Sequence, residues 1–230
     1  MNKLLNIPIY WINLNRSPKR KQFFKEQINQ YNIENHHRVE GIDGKNLDIN
    51  DYKDKLENIT VYELGCTLSH IKAINMADKN NDEYALILED DCSFEYLKYQ
   101  KFSIFELIKI MNKDYPKWNI LQLCTTNKRN EPLANSPDYI LKGYRNCTTG
   151  YLINKKGMDK MKYISKFNTA DISIYKACNT YNTSKPYFTY NYSTTFKSTV
   201  CNQGKNSKNT QYTREDKNKQ FWDKYYNDNS

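Results

Sequence analysis

Residues 84–91 read Tyr-Ala-Leu-Ile-Leu-Glu-Asp-Asp, an apolar run that stops on three consecutive carboxylates. Ionised carboxylates at the edge of a low-dielectric core repel one another and lose hydration, so they need a cation or hydrogen-bond donors to compensate them. A divalent metal is the simplest compensation. If the strand stays extended to its last residue, Glu89 and Asp91 point the same way and Asp90 the opposite way, which offers two hard oxygen ligands to one ion. Magnesium or manganese is commonly held by one or two carboxylates together with phosphate oxygens and water, a pattern suited to a nucleotide-diphosphate substrate. The competing reading is a solvated turn closing a core strand, since acids are common in turns.

The elements around this run are those of an α/β protein. Residues 7–14 form a first apolar strand, followed by Ser17-Pro18, a helix cap with proline at the first helical position. The helix buries Phe24, Ile28 and Tyr31 under a basic outer face. A second strand near His37–Glu40 runs into Gly41-Ile42-Asp43-Gly44, a turn whose glycines let the backbone approach a ligand. Leu64, Leu68, Ile71, Ile74 and Ala77 predict an amphipathic helix over residues 62–79 directly before the acidic strand. Ser103 and Glu106 form a capping box for a helix closed by Pro116. Strands are predicted at 118–124, 147–153 and 187–192, with Asn154 capping a short helix and a further helix over 171–181. This alternation predicts a single domain with a Rossmann-like, mostly parallel central sheet flanked by helices. Ligands of such sheets bind beyond the strand carboxyl ends, where Asn13, Asp43 and Glu89 to Asp91 all fall.

At 230 residues the chain is long enough for one well-buried core; its mean hydropathy of −0.92 is low, but Tyr 20 and Phe 9 supply apolar area. The domain is expected over residues 1–201, with 202–230 a polar flexible segment ending in the aromatic tail Phe221, Trp222, Tyr225 and Tyr226. The net charge of +9 includes the cluster Arg16, Lys19, Arg20, Lys21 and Lys25, which suits an anionic partner. Such a run more often marks a solvated helix face, so nucleic acid is the less favoured partner. Six cysteines with no Cys-x-x-Cys pair read as reduced thiols. The absence of a long apolar run predicts no membrane span and a cytoplasmic protein.

Read together, Ile12-Asn13-Leu14-Asn15-Arg16-Ser17, Gly41-Ile42-Asp43-Gly44, Glu63 to His70 and Leu86 to Asp91 resemble, in order and spacing, glycosyltransferase family 25, which includes lipopolysaccharide and collagen galactosyltransferases. Gly150 to Gly157 and Asp171 resemble the later part of its pattern more loosely. The resemblance implies a GT-A type fold, a UDP-sugar donor carrying galactose or glucose, inversion at the anomeric carbon, and Mn2+ or Mg2+ as cofactor. It implies Asp91 as first metal ligand, Glu89 or Asp90 as the second, and donor contacts from Asn13, Arg16, Asp43, Gly44, Ser69 and Asp90. Asp171 is the candidate general base, or else only a helix N-cap. Ser69 and His70 could equally be structural supports. The implied acceptor is a glycan chain, a lipid-linked sugar or hydroxylysine. An inactive nucleotide-sugar-binding module and a metal-dependent nucleotidyltransferase or phosphoesterase are the alternatives. Asn15 stands where aspartate is common in the family, and Tyr62 where a small residue is usual.

Overall fold

The computed structural model describes residues 7–124, 134–191 and 210–229, the side chains of the last segment from 217 onward. Seven strands form one sheet: β1 (Ile9–Asn13), β2 (His36–Glu40), β3 (Tyr84–Glu89), β5 (Ile120–Gln122), β6 (Ile140–Lys142), β7 (Gly150–Asn154) and β8 (Thr180–Thr183), in the order β2-β1-β3-β7-β5-β8-β6. A two-stranded ribbon pairs β4 (Cys92–Ser93) with β9 (Thr189–Tyr190). The helices are α1 (Pro18–Gln30), α2 (Val61–Lys79), α3 (Ile104–Asp114), α4 (Lys155–Met161), α5 (Ala170–Tyr175) and α6 (Thr210–Asp228).

Strand β1 is buried at every position, because side chains of alternate parity enter different cores. Ile9 and Trp11 join Leu86, Leu88, Phe24, Leu107 and Trp118 on the face covered by α1 and α3. Tyr10 and Ile12 join Ala85, Ile87, Ala73, Ile74, Met158 and Ile174 on the face covered by α2, α4 and α5. The parity places Glu89, in step with Ala85 and Ile87, on the α2 face. Helix α2 starts with the reciprocal capping box of Thr60 and Glu63, and α3 with that of Ser103 and Glu106.

The sheet is α/β but mixed. β2, β1 and β3 run parallel, as do β5 and β8, whereas β7 is antiparallel to both its neighbours and β6 to β8. Consecutive parallel strands need a crossover; the short link 143–149 between β6 and β7 carries no helix and feeds β7 in from the opposite end. β6 and β8 are three- and four-residue strands that the sequence pattern does not reveal, and β8 lies partly inside the predicted helix 171–181, which ends at Tyr175. Residues 210–228, expected as a polar flexible stretch with an aromatic tail, form α6. Asn218, Trp222 and Tyr226 are buried one helical turn apart, and the Tyr226 hydroxyl donates to the Pro186 carbonyl. One apolar stripe in a polar helix suffices for docking, and mean composition conceals it.

Candidate functional site

The parallel half of the sheet brings three strand ends to one edge, where Ile12 of β1 sits in register between Val39 of β2 and Glu89 of β3. Asn13, the last residue of β1, is 1% exposed and uses every polar atom of its side chain. Its amide nitrogen donates to Asp90 Oδ2 at 2.6 Å and to the Ser17 carbonyl at 3.2 Å, and its Oδ1 accepts from Arg38 Nε at 3.0 Å. Pro18 begins α1 immediately beyond, so Arg20 in its first turn reaches back over the strand ends. Arg20 Nη1 lies 2.8 Å from Asp90 Oδ1, and its Nη2 pairs with Asp91 Oδ2. The other oxygen of Asp91, Oδ1, is buried without a hydrogen-bond partner among the described residues.

Glu89 stands apart from this group. Its Oε1 accepts from the Thr148 hydroxyl at 2.8 Å and lies 3.4 Å from Nε2 of the fully buried His70, whose Nδ1 is 3.2 Å from the Tyr151 hydroxyl. The expected division, Glu89 with Asp91 against Asp90, is therefore corrected: Asp90 and Asp91 share Arg20, and Glu89 faces α2. β3 ends at Glu89 and the chain turns, so the alternation of an extended strand does not carry across to Asp91.

Electrostatics follow this split. Burial raises the Asp90 carboxyl to about 7, against the pull of Arg20. Burial also raises Asp91, again opposed by Arg20. Burial acts to raise Glu89 too, but the interactions with His70 and Thr148 outweigh it and hold the carboxyl below its ordinary range. Burial would lower the Arg20 guanidinium, yet the charges of Asp91, Asp90 and Glu89 drive it upward.

The second wall comes from the Gly41–Gly44 turn and α2. Arg16 pairs with Asp43 through Nε and, at 3.2 Å, through Nη2; Asp43 also accepts from the Lys45 amide, and the Arg16 bond foremost holds its carboxyl low. A Cβ on Gly44 would lie 2.7 Å from Tyr62 Cα and still closer to the Val61 carbonyl; one on Gly65 would lie 2.8 Å from both Gly44 N and Ile42 O. Only two glycines let the turn and the helix approach so closely. Ser69 locks the contact by accepting from the Ile42 amide at 2.7 Å and donating to the Gly65 carbonyl at 2.6 Å. Between these walls lies an open cleft, lined in part by Leu14, Arg16, Arg20, Gly44, Tyr62, Cys66, Ser69, His70, Glu89 and Asp90.

Asp171 is not on this lining. It is the second residue of α5, whose N-cap is Thr169; its Oδ1 accepts from the Thr169 hydroxyl at 2.6 Å and from the Ile172 amide at 3.0 Å. The N-cap reading is corrected by two residues: the cap is Thr169 and the helix starts at Ala170, before Asp171.

The donor set at the acidic end suits a hard divalent cation. Among the described residues no three His, Cys, Asp or Glu side chains converge as a ready-made cage. Two adjacent carboxylates, one with an unpartnered buried oxygen, still match an ion that draws its remaining ligands from phosphate and water.

The profile described as "Glycosyltransferase family 25 (LPS biosynthesis protein)" matches residues 6–175, a stretch that holds every one of these cleft residues. The chain belongs to glycosyltransferase family 25.

Its similar proteins include a "Glycosyltransferase 25 family member" of Drosophila melanogaster, 26% identical over 171 residues, and "Procollagen galactosyltransferase 1-A" of Xenopus laevis, 25% identical over 171 residues. Each match covers 66% of this chain and 27% of the relative, so the chain spans about a quarter of the length of the curated relatives it matches. Among solved structures, A197 from STIV aligns with TM-score 0.45 and 12% identity over 80% of this chain and 84% of that one. No helix among the described residues is long and apolar enough to cross a membrane.

In this family 25 chain, Arg16, Gly44, Ser69, Glu89 and Asp90 line the cleft, whereas Asn13, Asp43 and Asp91 are off the lining and bonded to residues on it: Asn13 to Asp90, Asp43 to Arg16 and Asp91 to Arg20. Thr148 and Arg38 were not singled out by the sequence, and Arg20 was named only as one member of a basic cluster. Arg20 carried one usable signal, its place in the first turn of a helix that starts directly after a strand end. Thr148 carried none, because its position depends on the reversed entry of β7.

Proposed function

We propose that this chain is a GT-A type, metal-dependent glycosyltransferase that moves a hexose, galactose or glucose, from a UDP-sugar to an acceptor hydroxyl with inversion. The observation that carries the reading is the pair Asp90 and Asp91 gathered on one buried arginine, with Asp90 and Arg20 on the cleft lining and Asp91 Oδ1 buried behind it without a partner among the described residues. Family membership and the similarity to a procollagen galactosyltransferase support the reaction class.

Asp91 and Asp90 would hold Mn2+ or Mg2+, which when bound neutralises the diphosphate as it leaves. Asn13 and Arg20 fix the two carboxylates before any ligand arrives, so no reorganisation is required of them in the transition state. Arg16, on the cleft lining, would meet the donor's diphosphate, and Asp43, paired with it just behind, the base or ribose. Glu89, held by Thr148 and His70, presents a carboxylate to the cleft that can accept hydrogen bonds from sugar hydroxyls. Removal of the acceptor proton is assigned to Asp171, which stands off the cleft lining in the first turn of α5 and whose Oδ2 has no partner among the described residues.

A panel of UDP-sugars incubated with manganese and no acceptor tests the reading through slow donor hydrolysis. One UDP-hexose should be turned over, and Asp91→Asn should abolish that turnover. Binding of UDP-sugars without turnover of any, with or without acceptor glycans, would leave a nucleotide-sugar-binding module instead.

A further inference from the structure

Tyr62, Cys66, Ser69 and His70 recur at helical spacing along α2, and all four line the cleft. This stripe changes character along its length. At its far end His70 meets Glu89, close to the carboxylates on Arg20. At its near end Tyr62 packs against the Gly44 turn, and the cleft lining it shares includes Leu14, Ile42, Cys66 and Arg16, with no charged side chain of α2 on the stripe. The eight helical steps from Tyr62 to His70 span roughly 12 Å of helix, about the reach of a nucleoside with its diphosphate.

Tyr62 is half-buried in the first turn of α2. The Gly44–Gly65 contact pins its backbone against the Asp43 turn, with Tyr62 Cα 2.7 Å from where a Gly44 Cβ would sit. Most other tyrosines at the core of this protein stack on an aromatic neighbour or use their hydroxyl in a hydrogen bond. Tyr62 does neither among the described residues, although it faces the cleft. An aromatic ring on a rigid backbone, turned to a cleft and with no partner of its own among the described residues, is a platform for a planar, weakly polar group.

We infer that the Tyr62 ring is the stacking platform for the nucleobase of the donor, with Leu14 and Ile42 beside it, so that the base lies at the glycine-turn end of the cleft and the diphosphate at the Arg20 end. The inference rests on the proposed use of a nucleoside-diphosphate sugar. It adds a residue that sets nucleotide affinity, through a π-face and without reading the base edge. Stacking of this kind is tolerant of base identity.

Calorimetric titration of UDP and of inorganic pyrophosphate, each with manganese, into the full chain separates the two ends of the cleft. Tyr62→Leu should weaken UDP about 5- to 150-fold, the range for loss of one base–aromatic stack, and leave pyrophosphate unchanged. Tyr62→Phe should bind UDP as the unaltered chain does, and both variants should melt within a few degrees of it. Undiminished UDP affinity in Tyr62→Leu overturns the platform while leaving the transferase reading standing. An equal loss for UDP and pyrophosphate overturns it too, by moving Tyr62 to the phosphate end. Failure of the unaltered chain to bind UDP at all overturns both.

Discussion

Replacing Arg20 by methionine removes the cation from between two buried carboxylates and keeps the aliphatic stem. The side chains of Arg20, Asp90 and Asp91 are 11%, 5% and 18% exposed, so solvent screens the loss poorly. Breaking a buried ion pair by deleting one partner costs about 3–5 kcal/mol. The lower part of that range applies, because Asp90, already raised to about 7, can take up a proton near neutrality instead of remaining an uncompensated charge. A loss of about 3 kcal/mol in a domain of this size corresponds to a melting point lower by about 6–12 °C. The direction with pH follows from the same group. Its folded pKa lies above the unfolded one, so the folded state binds more protons between them, and stability rises as pH falls below about 7. The Arg20→Met defect should therefore be larger at pH 8 than at pH 6. Millimolar manganese should return part of the lost melting temperature to Arg20→Met, and none to the Arg20→Met/Asp91→Asn double variant. Circular dichroism melts with manganese or with EDTA provide the assay. A melting point for Arg20→Met within about 2 °C of the unaltered chain at pH 8 would refute the reasoning, since the carboxylates would then not depend on Arg20.

Gly44→Ala forces the turn away from the Val61–Tyr62 backbone and should cost about 1–3 kcal/mol in denaturant unfolding while weakening UDP binding, because the cleft wall moves with it. Asp43 is held low chiefly by Arg16, so it contributes stability above the ordinary carboxylate range and loses it as pH falls through its lowered folded value. The pair is partly exposed, so urea unfolding should find Asp43→Asn about 0.5–1 kcal/mol less stable at pH 6, with the difference fading in strong acid. Trp222→Ala empties the core of the α6 dock and should make residues 217–229 susceptible to limited proteolysis at temperatures where the sheet domain resists it.

The parallel half of the fold was legible because its signals are local and strong. β1 and β3 are unbroken apolar runs, Leu64, Ile74 and Ala77 of the predicted α2 stripe are buried although Leu68 and Ile71 are only half-buried, and the Ser103–Glu106 capping box forms as its pattern requires. That Glu89 and Asp90 line a cleft, with Asn13 bonded to Asp90 behind it, agrees with the rule that ligands bind at strand carboxyl ends. What failed was geometry set by distant chain. The same-face pairing of Glu89 with Asp91 assumed an extended strand through residue 91, whereas the chain bends at 90 and Arg20, seventy residues away, decides the partners. The insertion of β7 between β3 and β5, which brings Thr148 to Glu89, depends on a link with no periodicity to read. The docked helix α6 was hidden by its polarity, because three buried residues carry its contact.

Calorimetric titration of UDP into the unaltered chain and into Asp91→Asn, each with manganese and with EDTA, addresses the acidic end of the cleft most directly. UDP should bind the unaltered chain at least tenfold more tightly with manganese than with EDTA, and Asp91→Asn should lose that difference while keeping its melting point within a few degrees. Equal UDP affinity with and without manganese in the unaltered chain, or a manganese effect that survives Asp91→Asn, would contradict a metal–diphosphate site at Asp90 and Asp91.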